Sequence, residues 1–201
     1  AYAYTSSAQA SLDIDQITIA ASNSNESADA SIDNIYADAS SSYAQASLDI
    51  NQITIEATST HGSADASIGN IYADALNSNT QASVNIGQIT VEATSTNGSA
   101  DASIYDIYAD AYNNNAQANV DIGQITIEAS SSNGSADASI DDIYANASYD
   151  NAQASIDISQ ITIEATSTNG SADASIDNIY ADASFANAEA SVDISQITIA
   201  A

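Results

Sequence analysis

Isoleucine stands at every eighteenth position from residue 14 to residue 194, and again at every eighteenth position from residue 17 to residue 197. Few folds tolerate so strict a rule. The stretch Asn151–Asn169 shows what lies between these marks: Ala154, Ile156 and Ile158 alternate with polar residues, and so do Ile161, Ile163 and Ala165. Alternation at period two is the pattern of a half-buried strand. The phase breaks only at Ser159-Gln160, where two residues separate Ile158 from Ile161. This predicts two short strands meeting at a tight bend, Ile158 facing Ile161 and Ile156 facing Ile163, as one flat turn of a β-solenoid. A slip of one residue would turn every one of these side chains outward, so the register is strongly specified.

A longer repeat overlies the shorter one. The segment AQASLDIDQITI at Ala8 returns, with variations, from Ala44, Thr80, Ala116, Ala152 and Ala188, a spacing of 36, and strands of a second type such as SADASIDNIYADA from Ser27 lie between the copies. Shifting by 18 superposes the two types, Ile14 on Ile32 and Ile17 on Ile35. The expected fold is therefore all-β: a β-solenoid or cross-β stack of about eleven 18-residue rungs, two short strands per rung, duplicated as 36-residue units. Residues 1–7 form an N-terminal half-rung, and 8–201 a single solenoid domain. Large and small inward residues alternate between rungs, Leu12 then Ala30 and Leu48 then Ala66, which predicts interdigitation along the rod. Every inward position is apolar, and the rod is ~53 Å long at the usual strand spacing. Gly62, Gly98, Gly134 and Gly170 follow one bend, where a positive φ is expected. An alternative makes all 36 residues one wide rung, so that Leu stacks on Leu and Gln on Gln; such a ring would need larger residues than alanine to fill its centre.

Charge and composition narrow the function classes. There is no Lys, Arg, Cys, Met, Trp or Pro, and 27 acidic residues give a net charge of −27. Without basic residues there is no surface to neutralise phosphates, so nucleic acid is not an expected partner. No apolar run approaches the ~20 residues of a membrane helix. One His and no Cys or Lys remove the usual nucleophile arrangements, and no cofactor motif is present. A catalytic constellation interrupts a repeat, and this repeat is hardly interrupted, so no enzyme is expected. Acidity without lysine suits a secreted or surface chain, with Ala1 read as a mature terminus.

The bends carry amides. Gln16, Asn34, Gln52, Asn70, Gln88, Gln124, Gln160, Asn178 and Gln196 stand at one bend, and Asn79, Asn97, Asn115, Asn133, Asn151, Asn169 and Asn187 at the opposite one. Stacked one strand spacing apart, such side chains can hydrogen-bond along the column as an amide ladder. His61 falls in the Asn column and reads as a substituted ladder position. On the outward face Ser11 and Asp13, then Asp29 and Ser31, suggest a checkerboard with carboxylates ~9.6 Å apart. Asp38, Glu56, Asp74, Glu92, Asp110 and Glu128 instead fall on consecutive rungs, where like charges cost on the order of 1 kcal/mol each. They form a solvated acidic face or a row that binds divalent cations such as Ca²⁺. Tyr36, Tyr72, Tyr108, Tyr144 and Tyr180 alternate with Thr18, Thr54, Thr90, Thr126 and Thr162 in the next column.

With Asn151-Ala152-Gln153-Ala154 leading to Gln160, the chain resembles the curlin family, subunits of bacterial extracellular functional amyloid. Its basic residues are absent and its Gly-rich bends few. The resemblance implies a secreted subunit that polymerises into a biofilm or surface fibre. Monomeric solenoids protect their ends with polar caps; here the terminal rungs keep the ordinary pattern. Ala1 and Ala3 at one end, and Ile197, Ile199 and Ala201 at the other, are the expected assembly ends of a head-to-tail homopolymer, in which one half-rung is missing at each junction. The alternatives are a monomeric ice-binding solenoid, disfavoured by the Tyr alternation and by Glu56 beside Thr54, and a passive acidic stalk of an adhesin.

Overall fold

In the computed structural model, which describes residues 1–201, the chain forms strands and no helix. A short β1 (Tyr2–Ala3) precedes β2 (Gln9–Asn23), β3 (Ala28–Ala39), β4 (Gln45–Ser59), β5 (Ala64–Ala75), β6 (Gln81–Ser95) and β7 (Ala100–Tyr112). Then come β8 (Gln117–Ser131), β9 (Ala136–Ser148), β10 (Gln153–Ser167), β11 (Ala172–Ala183), β12 (Glu189–Ile194) and β13 (Ile197–Ala200). The odd strands from β1 to β11 make one parallel sheet and the even strands from β2 to β12 the other, with β13 beside β12 on β10. The fold is a parallel β-solenoid of about six turns, each turn spending one strand on each sheet.

The turn is 36 residues, not 18. Ile158 pairs with Ile122 and Ile161 with Ile125; Leu12 lies beside Leu48 and Gln9 beside Gln45. The predicted bend at Ser159-Gln160 fails for a simple reason. Two successive side chains point outward there, which shifts the alternation by one residue while β10 runs straight through from Gln153 to Ser167. Ile158 and Ile161 therefore both face inward in one strand rather than facing each other. The same slip recurs in register in every full-length strand.

The wide ring has no hollow centre because it is flattened. Its two sheets face each other directly and their inward side chains form one continuous core. The even sheet brings residues such as Leu48, Ile50, Ile53 and Ile55, and the odd sheet brings Ala64, Ala66, Ile68, Ile71, Ala73 and Ala75. Large side chains on one side thus meet many small ones on the other. The interdigitation is between sheets, and along each column the residues repeat. Five spacings separate β2 from β12, a rise of ~24 Å rather than ~53 Å.

Two predicted details of the bends are also corrected. No glycine has a positive φ. Gly134 is required by proximity, since a Cβ there would sit 2.3 Å from the Gly98 carbonyl oxygen of the preceding turn. The left-handed positions belong to the other bend, at Asn79, Asn115, Asn151 and Asn187, with φ between 57° and 60°. Asn is one of the few side chains that visits this region readily. Nor is the interior wholly apolar. Ser59, Ser95 and Ser131 are buried at the glycine bend. The Ser95 hydroxyl donates to the Gly62 carbonyl (2.9 Å) and accepts from Gly98 N–H (2.9 Å). It links adjacent turns and satisfies backbone that the bend leaves unpaired.

Candidate functional site

A 36-residue turn redistributes the outward side chains into unbroken columns on two opposite faces. Asp29, Asp65, Asp101, Asp137 and Asp173 form one column on the odd sheet. Asp13, Asp49, Asn85, Asp121, Asp157 and Asp193 form another on the even sheet. The checkerboard is thus absent, and carboxylates meet at a single strand spacing. The predicted cation row divides: Asp38, Asp74 and Asp110 lie on the odd sheet, Glu56, Glu92 and Glu128 on the even. No three of these groups converge as metal ligands.

The electrostatic consequence is visible in their proton affinities. Partial burial, then the flanking Asp110 and Asp38, push Asp74 up to about 7. Asp101 is raised by burial and by Asp65, Asp137 and Asp141, and Glu92 by burial and by Glu128 and Glu56. Asp110 is also raised by burial, but the Asn146 amide donates to its Oδ1 at 3.1 Å and opposes the shift.

The amide positions separate into several columns. Gln16, Gln52, Gln88, Gln124 and Gln160 lie on the even sheet, and Gln196 lies in the break between β12 and β13. Within the sheet Gln52, Gln124 and Gln160 donate to Thr54, Thr126 and Thr162 of their own strands at 3.3–3.4 Å instead of along the column. Asn34, Asn70 and Asn178 share an odd-sheet column with Asp106 and Asp142; Asn178 donates to Asp142 (2.6 Å), and the amide of Asn70 lies 2.8 Å from Asn34. The opposite-bend set splits in two because each turn has two bends. Asn169 donates to Asn133 (3.1 Å) and Asn133 to Asn97 (3.0 Å) at one; Asn115 donates to Asn79 (3.2 Å) at the other, which also holds Asn151 and Asn187. His61 Nδ1 is 2.7 Å from the Ser24 carbonyl oxygen.

The longest amide ladder was missed by sequence reasoning. Gln9, Gln45, Gln81 and Gln117 each donate from Nε2 to the next glutamine of the column at 2.8–3.0 Å, and Gln153 donates to Glu189 at 3.3 Å. An 18-residue register interposes Ser27 and Ser63 and hides it; the recurrence of Gln at 36 was the available signal.

Tyr and Thr do not alternate. Thr18, Thr54, Thr90, Thr126, Thr162 and Thr198 run unbroken along the even sheet, with Glu56, Glu92, Glu128 and Glu164 beside them. On the odd sheet Tyr36, Tyr72, Tyr108, Tyr144 and Tyr180 stack face to face, with centroids 4.7–5.2 Å apart and planes within 5°. Burial first, then neighbouring Asp and Tyr, raise Tyr144 to about 12, so this phenol is neutral at ordinary pH. Tyr108→Ala removes two stacked contacts, and aromatic pairs contribute about 0.5–1.5 kcal/mol each. We expect about 2 kcal/mol of destabilisation in a denaturant melt, with Tyr108→Phe close to wild type; equal losses in both variants would show that stacking is not what holds the column.

At the predicted assembly ends, the Ala1 amino group donates to Tyr36 O at 2.6 Å and Ala3 is buried against Ala39. Ile197 and Ile199 pair on one side with Ile161 and Ile163 and stay 43% and 46% exposed; Ala201 lies beyond β13 and is exposed. No protein-family model, no curated protein and no solved structure matches the chain.

Proposed function

We propose that this chain is a structural subunit of an extracellular, curlin-like amyloid filament in which turns continue from one copy to the next. The supporting observation is the register itself. Each turn places like residues on like residues at a shift of 36, so the edges of β2 and β12–β13 display the same columns as the interior strands. Leu12 and Ile197, buried in their interior counterparts Leu48 and Ile161, are 47% and 43% exposed. An edge of this kind templates the addition of another strand. The acidic columns oppose sideways clumping of such rods, and without lysine or arginine no face offers them an opposite charge. The role is structural, with no reaction assigned to any residue.

Electron microscopy of the refolded chain at several concentrations tests this. Long unbranched fibres with a ~4.7 Å axial repeat are expected; monodisperse particles of one chain's length would overturn it. The unbroken threonine column favours a second reading, a monomeric ice-binding solenoid. Thermal hysteresis in dilute solution without fibres would establish that reading instead.

A further inference from the structure

The columns that hold both Asp and Asn reveal how this fold handles stacked carboxylates. In four of them an Asn amide donates to the carboxylate one turn earlier: Asn51 to Asp15 (3.4 Å), Asn85 to Asp49 (2.5 Å), Asn146 to Asp110 (3.1 Å) and Asn178 to Asp142 (2.6 Å). A protonated Asp has the shape of Asn and carries a donor on the same end of the side chain. Any Asp in such a column can therefore make the Asn bond if it keeps its proton.

Asp74 is the position where this matters. It stands between Asp38 of β3 and Asp110 of β7, in register with both. Its Oδ1 is shielded from solvent and has no hydrogen-bond partner. Asp110 is served by Asn146 and Asp38 by the Ser40 hydroxyl, which leaves Asp74 as the unserved member of its column. The other titratable groups around it offer no relief. Tyr72 on its own strand and Tyr108 on β7 are neutral phenols whose affinities are raised. The Ala1 amino group and Tyr4 lie against Asp38. There is no Lys or Arg in the protein to pair with it.

We propose that Asp74 is a proton-binding site built into the solenoid: the proton it takes up bridges its carboxyl to a carboxylate of the adjacent turn, in the manner of the column asparagines, and couples the cohesion of the turns to pH. Its affinity, pushed up to about 7 by burial and by its two neighbours, places the transition near neutrality. The folded chain holds this proton up to about pH 7, whereas the unfolded chain releases it near the ordinary 3.8. The folded state binds more protons between those values, so the contribution is full below about pH 4, is lost as pH rises through 7, and is constant above.

Comparing wild type with Asp74→Asn across pH 5–9 isolates this group from the other carboxylates. The gap between the two should be smallest at pH 5 and widen as pH rises, until at pH 9 Asp74→Asn melts about 5 °C higher. Asp74→Ala removes the charge but cannot donate, and at pH 9 it should fall short of Asp74→Asn. A wild-type/Asn difference independent of pH overturns the proposal, and so does an Ala variant as stable as the Asn variant, which would assign the effect to charge removal alone. Infrared titration of the intact wild type gives an independent reading. A protonated-carboxyl band persisting to about pH 7 is expected, and its disappearance by pH 5 would also overturn the site.

Discussion

Ile107→Asp should abolish the cooperative fold. Ile107 is fully buried in β7, near the middle of the stack, flanked in its column by Ile71 and Ile143. Loss of a buried isoleucine side chain alone costs about 2–5 kcal/mol through lost transfer energy and the cavity left behind. The aspartate adds an ionised group inside a core of apolar side chains, with no Lys or Arg in the chain to pair it. That cost is several kcal/mol more, together comparable to the ~5–15 kcal/mol of a typical domain's stability. Circular dichroism should show loss of sheet signal at 25 °C, and limited proteolysis should cut near 107. A variant that melts within a few degrees of wild type would mean the core is not continuous through β7. By contrast, Asp101→Asn on the same strand removes one charge from an outward column and should be neutral or slightly stabilising.

Gly134→Val should be nearly as damaging, though it adds only three carbons at a surface bend. The atoms in the way belong to the backbone: a Cβ on Gly134 would lie 2.3 Å from the oxygen and 2.6 Å from the carbonyl carbon of Gly98. A flexible side chain could swing aside; a peptide group paired within the next turn cannot do so without separating the strands. The Ser131–Gly98 hydrogen bond (2.8 Å) would be lost with it. We expect at least ~3 kcal/mol of destabilisation in urea titration, within the range set by overpacking and broken buried hydrogen bonds. Gly→Ala at the same place should do most of the harm, because the first carbon makes the collision. A silent Gly134→Ala would mean that the turns are not closely stacked at this bend.

The class of fold and every inward Ile, Leu and Val column were legible in the sequence, because period-two alternation over so many copies has one solution. The turn length was not. Ile14, Ile32 and Ile50 obey an 18-residue rule that is a real similarity between the two sheets, yet pairing follows the 36-residue rule. Inward positions could not decide between them, since both give an apolar core. The outward positions could: Gln9 with Gln45 and Tyr36 with Tyr72 match at 36 and mismatch at 18. Ladders reward identity, and the repeat that maximises identity is the one that stacks. The same error divided the acidic row between two faces and hid the Gln9 ladder, the threonine column and the stacked tyrosines. The bend serines escaped because Ser59 and Ser95 look like ordinary loop residues until the Gly62 and Gly98 backbones are seen beside them.

Pairing at a constant shift of 36 leaves this architecture without a natural size. A gene encoding it can gain or lose one unit, by slippage or unequal exchange between its own near-identical segments, and the protein meets no new contact. Its length changes by one strand spacing of ~4.8 Å. Its charge changes by about the carboxylates of one unit, for residues 44–79 those of Asp49, Glu56, Asp65 and Asp74. Reach and charge would then vary together in discrete steps across individuals of a population, a dial that selection could turn without first solving a folding problem.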